Sequence, residues 1–356
     1  MSGQWGKKVK YSIFGESHGR GIGITIDGLP CGIKLDMDFI NNEMQRRAPG
    51  RDEFSTKRKE GDKVEILSGY FNGYTTGTPL CGVIFNENQN SKDYDKLKNI
   101  ARPGHADFTG KVKYSGFNDY RGGGHFSGRI TAPLVFAGAV AKQILLDKGI
   151  QIGSHILSIG SVFDSYFDGV NLKKQILVDV LKKDFPVLDD LKGEEMKNTI
   201  LKAKEETDSV GGIIEATILN LPCGLGEPFF DSIESTLAQL LFSVPAVKGV
   251  EFGMGFEITK IRGSKANDEP YMDNGSVATK TNNNGGINGG ISNGMPIVFR
   301  VAMKPTPSIS KPQNTIDMST DENSEILVTG RHDPCIVLRA LPVIEACAAM
   351  SILDFI

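Results

Sequence analysis

Five histidines occur in the 356 residues, and four of them sit in glycine- or proline-bearing loops beside charged neighbours. His18 lies in "FGESHG", His105 in "RPGHAD", His125 in "YRGGGHFSGR" and His332 in "GRHDPC". Only His155, within "IQIGSHILSIG", reads as an ordinary strand residue. Imidazole is the side chain best poised to move protons near neutral pH. No pair has the HxxxH or HExxH spacing of a metal site, so the pattern points to acid–base chemistry. Arginine forms the second group. Arg46, Arg47 and Arg51 flank the end of one predicted helix, while Arg102, Arg121, Arg129 and Arg331 accompany the histidines. A guanidinium in a glycine-rich loop is the preferred bidentate partner of phosphate and carboxylate. "KPTPSIS" (304–310) adds a lysine followed by hydroxyls. A Walker A loop is absent, and "RGGGHFSG" is not the dinucleotide fingerprint. These residues describe an enzyme that uses histidine on a small, multiply anionic ligand.

The elements that must position them follow from periodicity. Three consecutive glycines, 122–124, are entropically expensive and allow close approach of the backbone to an anion. Ser127 is a natural N-cap for the apolar helix over about 129–148, which Gly149 closes. Asp36 caps a helix carrying Met37, Ile40 and Met44, which ends at "APG". "VEILSGY" (64–70), "PLCGVIF" (79–85), "IIEATILN" (213–220), 297–303 and the alternating "VEFGMGFEIT" read as strands. "DSIESTLAQLLFS" opens with a capping-box pattern, Asp231 with Glu234. "RPGHADFTG" shows no periodicity and reads as a loop, and the residues from 335 form an apolar terminal helix. "TNNNGGINGGISNG" (281–294) holds five Asn and five Gly and reads as a flexible loop. Strands and helices alternate without the rhythm of a doubly wound sheet, and no composition shift marks a linker. The expected fold is a single α+β domain over residues 1–356, a buried helical core between antiparallel β-sheets.

Composition sets bounds on function. The net charge of −3 gives no indication of wholesale attraction to nucleic acid or membrane. Glycine is about 12% of the chain against a usual value of roughly 7%, and the glycines punctuate apolar segments. The five cysteines at 31, 81, 223, 335 and 347 form no CxxC pair, which fits reduced thiols in a cytoplasmic protein. The N-terminal stretch has no apolar signal region, and charged residues interrupt the most apolar segments, so a soluble enzyme is expected.

The ordered series "FGESHG", "RRAPGR", "RPGHAD", "YRGGGHFSGR", "CGLGEPFFD", "AVKGVEFGMGF", "GGINGGISNGMP", "KPTPSI" and "GRHDPC" resembles that of the chorismate synthases, from residue 14 to 335. The resemblance implies conversion of 5-enolpyruvylshikimate 3-phosphate to chorismate and phosphate, the last step of the shikimate pathway. This is an anti-1,4-elimination of the C3 phosphate and the C6 pro-R hydrogen that requires reduced FMN without net redox change. It implies His18 as the acid beside the leaving phosphate, His105 at the N1 side of the flavin, and Asp333 assisting proton removal at N5. Arg47, Arg51, Arg129 and Arg331 would contact the substrate, with nicotinamide nucleotide as the alternative ligand of Arg47 and flavin as that of Arg129 and Arg331. His125, Phe126, Ser127, Gly289, Lys304, Pro305, Thr306, Pro307, Ser308 and Arg331 match flavin-contacting positions, and the Asn/Gly loop would cover ligand. It also implies a cytoplasmic homotetramer, with NADPH entering only as flavin reductant, either on the chain itself or through a separate reductase.

The family pattern departs at two places. "HFSGRIT" stands where "RSSARET" is usual, so His125 replaces an arginine, and Glu53 stands where a basic residue is usual. Two alternatives accompany this reading: an FMN-dependent oxidoreductase that consumes its hydride, and a nucleic-acid module using "RRAPGR" and "KRK" as a basic patch. Steep salt dependence would mark the second.

Overall fold

The computed structural model describes residues 3–50, 61–86, 98–328 and 332–356. Helix α1 (Met37–Arg47) begins where Asp36 accepts the Phe39 N–H at 3.0 Å, as the capping pattern requires. The following helices are α2 (Asp107–Lys113), α3 (Thr131–Asp147), α4 (Lys174–Leu181), α5 (Asp190–Glu205), α6 (Ile233–Ser243), the single turn α7 (Gly263–Ala266) and α8 (Val337–Phe355).

Two five-stranded antiparallel sheets flank a helical layer built from α1, α3, α6 and α8, while α4 and α5 pack on the second sheet. The first runs in spatial order Gln4–Trp5, Lys10–Gly15, Gly21–Asp27, Leu80–Phe85, Glu65–Ser68. The second runs Val247–Phe252, Ile297–Met303, Gly212–Leu219, Gln151–Ile159, Val162–Phe163. Ile22, Ile24 and Ile26 alternate onto one face of the first sheet, and Ile297, Phe299 and Val301 onto one face of the second; all six are buried. Between the sheets α3 packs on α8. An added Cβ at Gly138 would lie 2.1 Å from the Cβ of Ala346, so glycine is what permits this close crossing. α3 is buried nearly all round, including Lys142, which shares the carboxylates of Glu43 and Glu345. The stretch Gly128–Asp147 is apolar enough to span a membrane, yet it is mostly buried within this core. The α+β sandwich expected from the sequence is the observed architecture.

Three local expectations differ. Ser232, not Asp231, caps α6, accepting the Ser235 N–H at 3.0 Å, and Asp231 instead pairs with Lys7. The alternation over 250–259 is strand only to Phe252. Gly253 and Gly255 then take φ of 56° and 53°, and a 3₁₀ turn covers Gly255–Lys260. The Asn/Gly stretch is ordered. Ile287–Asn288 pairs with Ile291–Ser292, and Asp268 accepts the Asn283 and Asn284 N–H groups at 2.7 and 2.9 Å.

Candidate active site

Gly122, Gly123 and Gly124 all take left-handed φ, at 58°, 85° and 55°. A Cβ at Gly122 would lie 2.1 Å from Nδ1 of His18, and one at Gly123 would lie 3.1 Å from Cε1 and Nε2 of His105. The sequence assigns the freed space to an anion. In the structure two imidazoles occupy it, packed on one loop from different parts of the chain. The Ser17 N–H donates to the Gly124 carbonyl at 3.0 Å, and the exposed His125 donates from Nδ1 to the Gly15 carbonyl at 2.8 Å. These bonds fix the "FGESHG" loop against the glycines. His18 itself is 4% exposed.

The "RPGHAD" segment is a loop only to Ala106, and Asp107 opens α2. Asp107 organises it: Oδ1 faces His105 Nδ1 at 2.6 Å, and Oδ2 accepts from Arg102 Nε at 2.7 Å. Burial would raise the Asp107 pKa, but the bonds from Arg102 and His105 hold it well below the usual carboxylate range. An ionised Asp107 orients the His105 ring through Nδ1, while Arg102 Nη2 lies 3.3 Å from Nε2. The 304–308 stretch closes over this loop. Lys304 Nζ donates to the Gly104 carbonyl at 2.5 Å, Arg102 reaches Ser308 Oγ at 3.4 Å, and Thr306 Oγ1 donates to the Asp333 carbonyl at 3.0 Å. The Asp333 carboxylate pairs with Arg339, whose Nε donates to the Arg47 carbonyl at 3.1 Å. Pro307 also lies beside Gly104, whereas Pro305 packs on Gly211.

Arg47, the last residue of α1, and Arg129, just before α3, are both buried and share the carboxylate of Asp62. Burial drives the Arg47 pKa down, with Asp62 opposing it. Phe126 packs against Gly110 and the ring of Tyr114, and Ser127 Oγ accepts the Arg129 N–H at 3.3 Å. Behind the glycine loop lies a cavity of about 180 Å³ whose lining includes Phe126, Tyr120, Gly123, Asp107 and Lys111. His332 Nε2 is buried with no hydrogen-bond partner among the described residues, and burial together with Arg102 holds its pKa below the usual histidine value.

The structure therefore gathers His18, His105, Phe126, Lys304, Thr306, Pro307, Ser308 and Asp333 around two facing loops, with Arg47 linked to them through Arg339. Gly289 lies elsewhere, in the tight hairpin whose next residue, Gly290, accepts the Ile233 N–H at the start of α6. Arg51, Glu53 and Arg331 lie outside the described residues. Sequence reasoning missed Asp62, Asp107 and Arg339. Only Asp107 carried a signal, two residues after a loop histidine. His155 belongs to a different cluster. His155, Glu215, Arg300 and Glu251 stand in cross-strand register along the second sheet.

A family model described as chorismate synthase matches residues 9–356. The chain belongs to the chorismate synthase family. It is 46% identical over 354 residues to the chorismate synthase of Dehalococcoides mccartyi, covering 99% of this chain and 96% of that one. The chorismate synthase of Thermococcus gammatolerans is 47% identical over 349 residues, covering 98% and 96%. A chorismate synthase crystal structure superposes with a TM-score of 0.77 at 32% identity, covering 99% of this chain and 92% of that one. The reaction is that of the family, a carbon–oxygen lyase elimination that forms chorismate.

Proposed function

We propose that the facing histidine loops form the chemical centre for elimination from 5-enolpyruvylshikimate 3-phosphate, with reduced FMN bound beside them. The observation that carries this is the triple-glycine turn, which seats His18 and His105 on one loop. The residues fit the cofactor. Lys304 and Arg102 offer cations, Thr306 and Ser308 offer hydroxyls, and the buried, open Nε2 of His332 suits a polar ring edge. Phe126 and the hydroxyl-bearing 304–308 stretch would hold the ring and its side chain, with His125, Ser127 and Arg331 as further contacts.

Reduced FMN, when bound, supplies electron density that loosens the C3–O bond, with no net oxidation. The chain's own residues bind, orient and move protons. Arg47 and Arg129, with Arg51 and Arg331, clamp the phosphate and two carboxylates by bidentate pairing. Buried His18 protonates the departing phosphate. Ionised Asp107 fixes the orientation of His105, whose ring would face the N1 side of the flavin. Asp333, its carboxylate paired with Arg339, would assist proton removal at N5 of the flavin. The free thiols suit a reducing, cytoplasmic setting. The working form is a homotetramer, with NADPH serving only to reduce the flavin.

Anaerobic stoichiometry tests this reading. One equivalent of bound reduced FMN should support release of many equivalents of phosphate and return to its reduced spectrum. About one phosphate per flavin oxidised, with oxidised FMN accumulating, would mark a net redox enzyme and overturn the reading.

A further inference from the structure

We propose that Asp62 is a positioning residue that sets the spacing of Arg47 and Arg129 and thereby the enzyme's affinity for its anionic substrate, without touching the substrate. The inference rests on the assignment of those two arginines to substrate.

The geometry is specific. Asp62 Oδ2 accepts from Arg47 Nη1 at 2.6 Å and Oδ1 from Arg129 Nη1 at 2.8 Å, so each oxygen serves one guanidinium. The Asp62 side chain has no solvent exposure. The two arginines come from different elements, and each has a second anchor. Arg47 Nε donates to Thr131 Oγ1 at 3.2 Å and its Nη2 to the Gly128 carbonyl at 3.1 Å. Arg129 Nε donates to Asn86 Oδ1 at 2.7 Å. Asn86 in turn donates from Nδ2 to the Gly19 carbonyl at 2.8 Å, next to His18. The carboxylate therefore holds the arginine pair in register with the loop that carries the proposed acid.

The backbone supports the same conclusion. Asp62 takes φ of 42°, a left-handed conformation that non-glycine residues adopt at a conformational cost. Burial would raise its pKa, yet Arg47 and Arg129 together bring it below the usual value, so the group is ionised wherever the enzyme works. A fixed charge between two guanidiniums from different elements holds the arginines at a defined separation. Two cations sharing one rigid acceptor can meet the spacing of a phosphate and a carboxylate; two independently mobile ones would first have to be ordered.

Asp62→Asn removes the charge and turns one acceptor into a donor facing an arginine. Substrate Kd by calorimetry on the enzyme carrying oxidised FMN, and KM under anaerobic turnover, should rise about 10- to 100-fold. kcat at saturation and FMN affinity should stay within about threefold. Arg47→Lys should raise KM alone, and adding it to Asp62→Asn should cost far less than the product of the single effects, because both act through one contact. Asp62→Glu keeps the charge and displaces it by a methylene; it should raise KM too, and it serves if Asp62→Asn does not fold. A lowered melting temperature with unchanged substrate Kd and KM in a folded Asp62 variant would overturn the proposal. If Arg47→Lys raises KM while the Asp62 variants do not, this proposal alone fails. If every variant moves FMN affinity and none moves substrate affinity, the substrate assignment fails and the proposal falls with it.

Discussion

Gly122→Ala would place a methyl group 2.1 Å from His18 Nδ1 and 2.2 Å from its Cε1. Ordinary heavy-atom contacts lie near 3.5 Å, so the ring or the loop must retreat by more than 1 Å. Two effects then separate. Left-handed φ at an alanine costs about 1–2 kcal/mol of stability. Displacing a catalytic group by about 1 Å costs on the order of 10²-fold in turnover. Gly149, which ends α3, has φ of 80° and nothing within 4 Å of an added Cβ, so Gly149→Ala reports the backbone strain alone. Anaerobic phosphate release and thermal melting on both variants make the comparison. Gly149→Ala should melt lower with near-normal turnover, and Gly122→Ala should melt lower with turnover down about 100-fold or more. Equal activity in the two would mean that the loop does not set the position of a residue the chemistry needs.

Asp107→Asn should lower turnover by about 10²–10⁴-fold by releasing the orientation of His105, with the fold intact by circular dichroism; unchanged turnover would remove Asp107 from the mechanism. His155 faces Asp164 at 3.2 Å and Glu215 at 3.0 Å, one carboxylate on each ring nitrogen. Burial opposes its charge, but the two carboxylates raise its pKa above the usual value. Its stabilising contribution is thus fully present below about pH 6.5, the unfolded value, and is lost as pH rises through the folded pKa. The melting temperature should fall over that alkaline range in the native protein, and His155→Gln should flatten this slope; an unaltered slope would refute the assignment.

What the sequence disclosed depended on how local the cause was. Asp36, Gly149 and the apolar run of α3 act on their own neighbours, so that helix start, that helix end and that core element were readable. Ser232 and Asp231 are equally good caps by type; Ser232 takes the role, and Asp231 pairs with Lys7, far away in the chain. The alternation 250–258 kept its period past the point where Gly253 and Gly255 turn the backbone. The Asn/Gly stretch looked mobile because its order comes from Asp268, outside it. Within the site, loop histidines stand out by type and glycine context. The carboxylates that orient them do not, since Asp62 meets its partners only after α1 and α3 have packed.

The crossing of α3 and α8 also bears on how the chain reaches this state. The helices that meet at Gly138 and Ala346 are about two hundred residues apart, and α8 also packs on α1 near the other end of the sequence. Contacts so distant along the chain close late, because the entropy of loop closure is lost before they form. Both sheets rest on this one helical layer, and the second also carries a small cluster of Phe167, Leu172, Leu177 and Leu219. Refolding should therefore be slow, with apolar sheet faces uncovered until the helices meet. Lys304 and Asp333 reach the histidine loops from the same C-terminal part of the chain that carries α8.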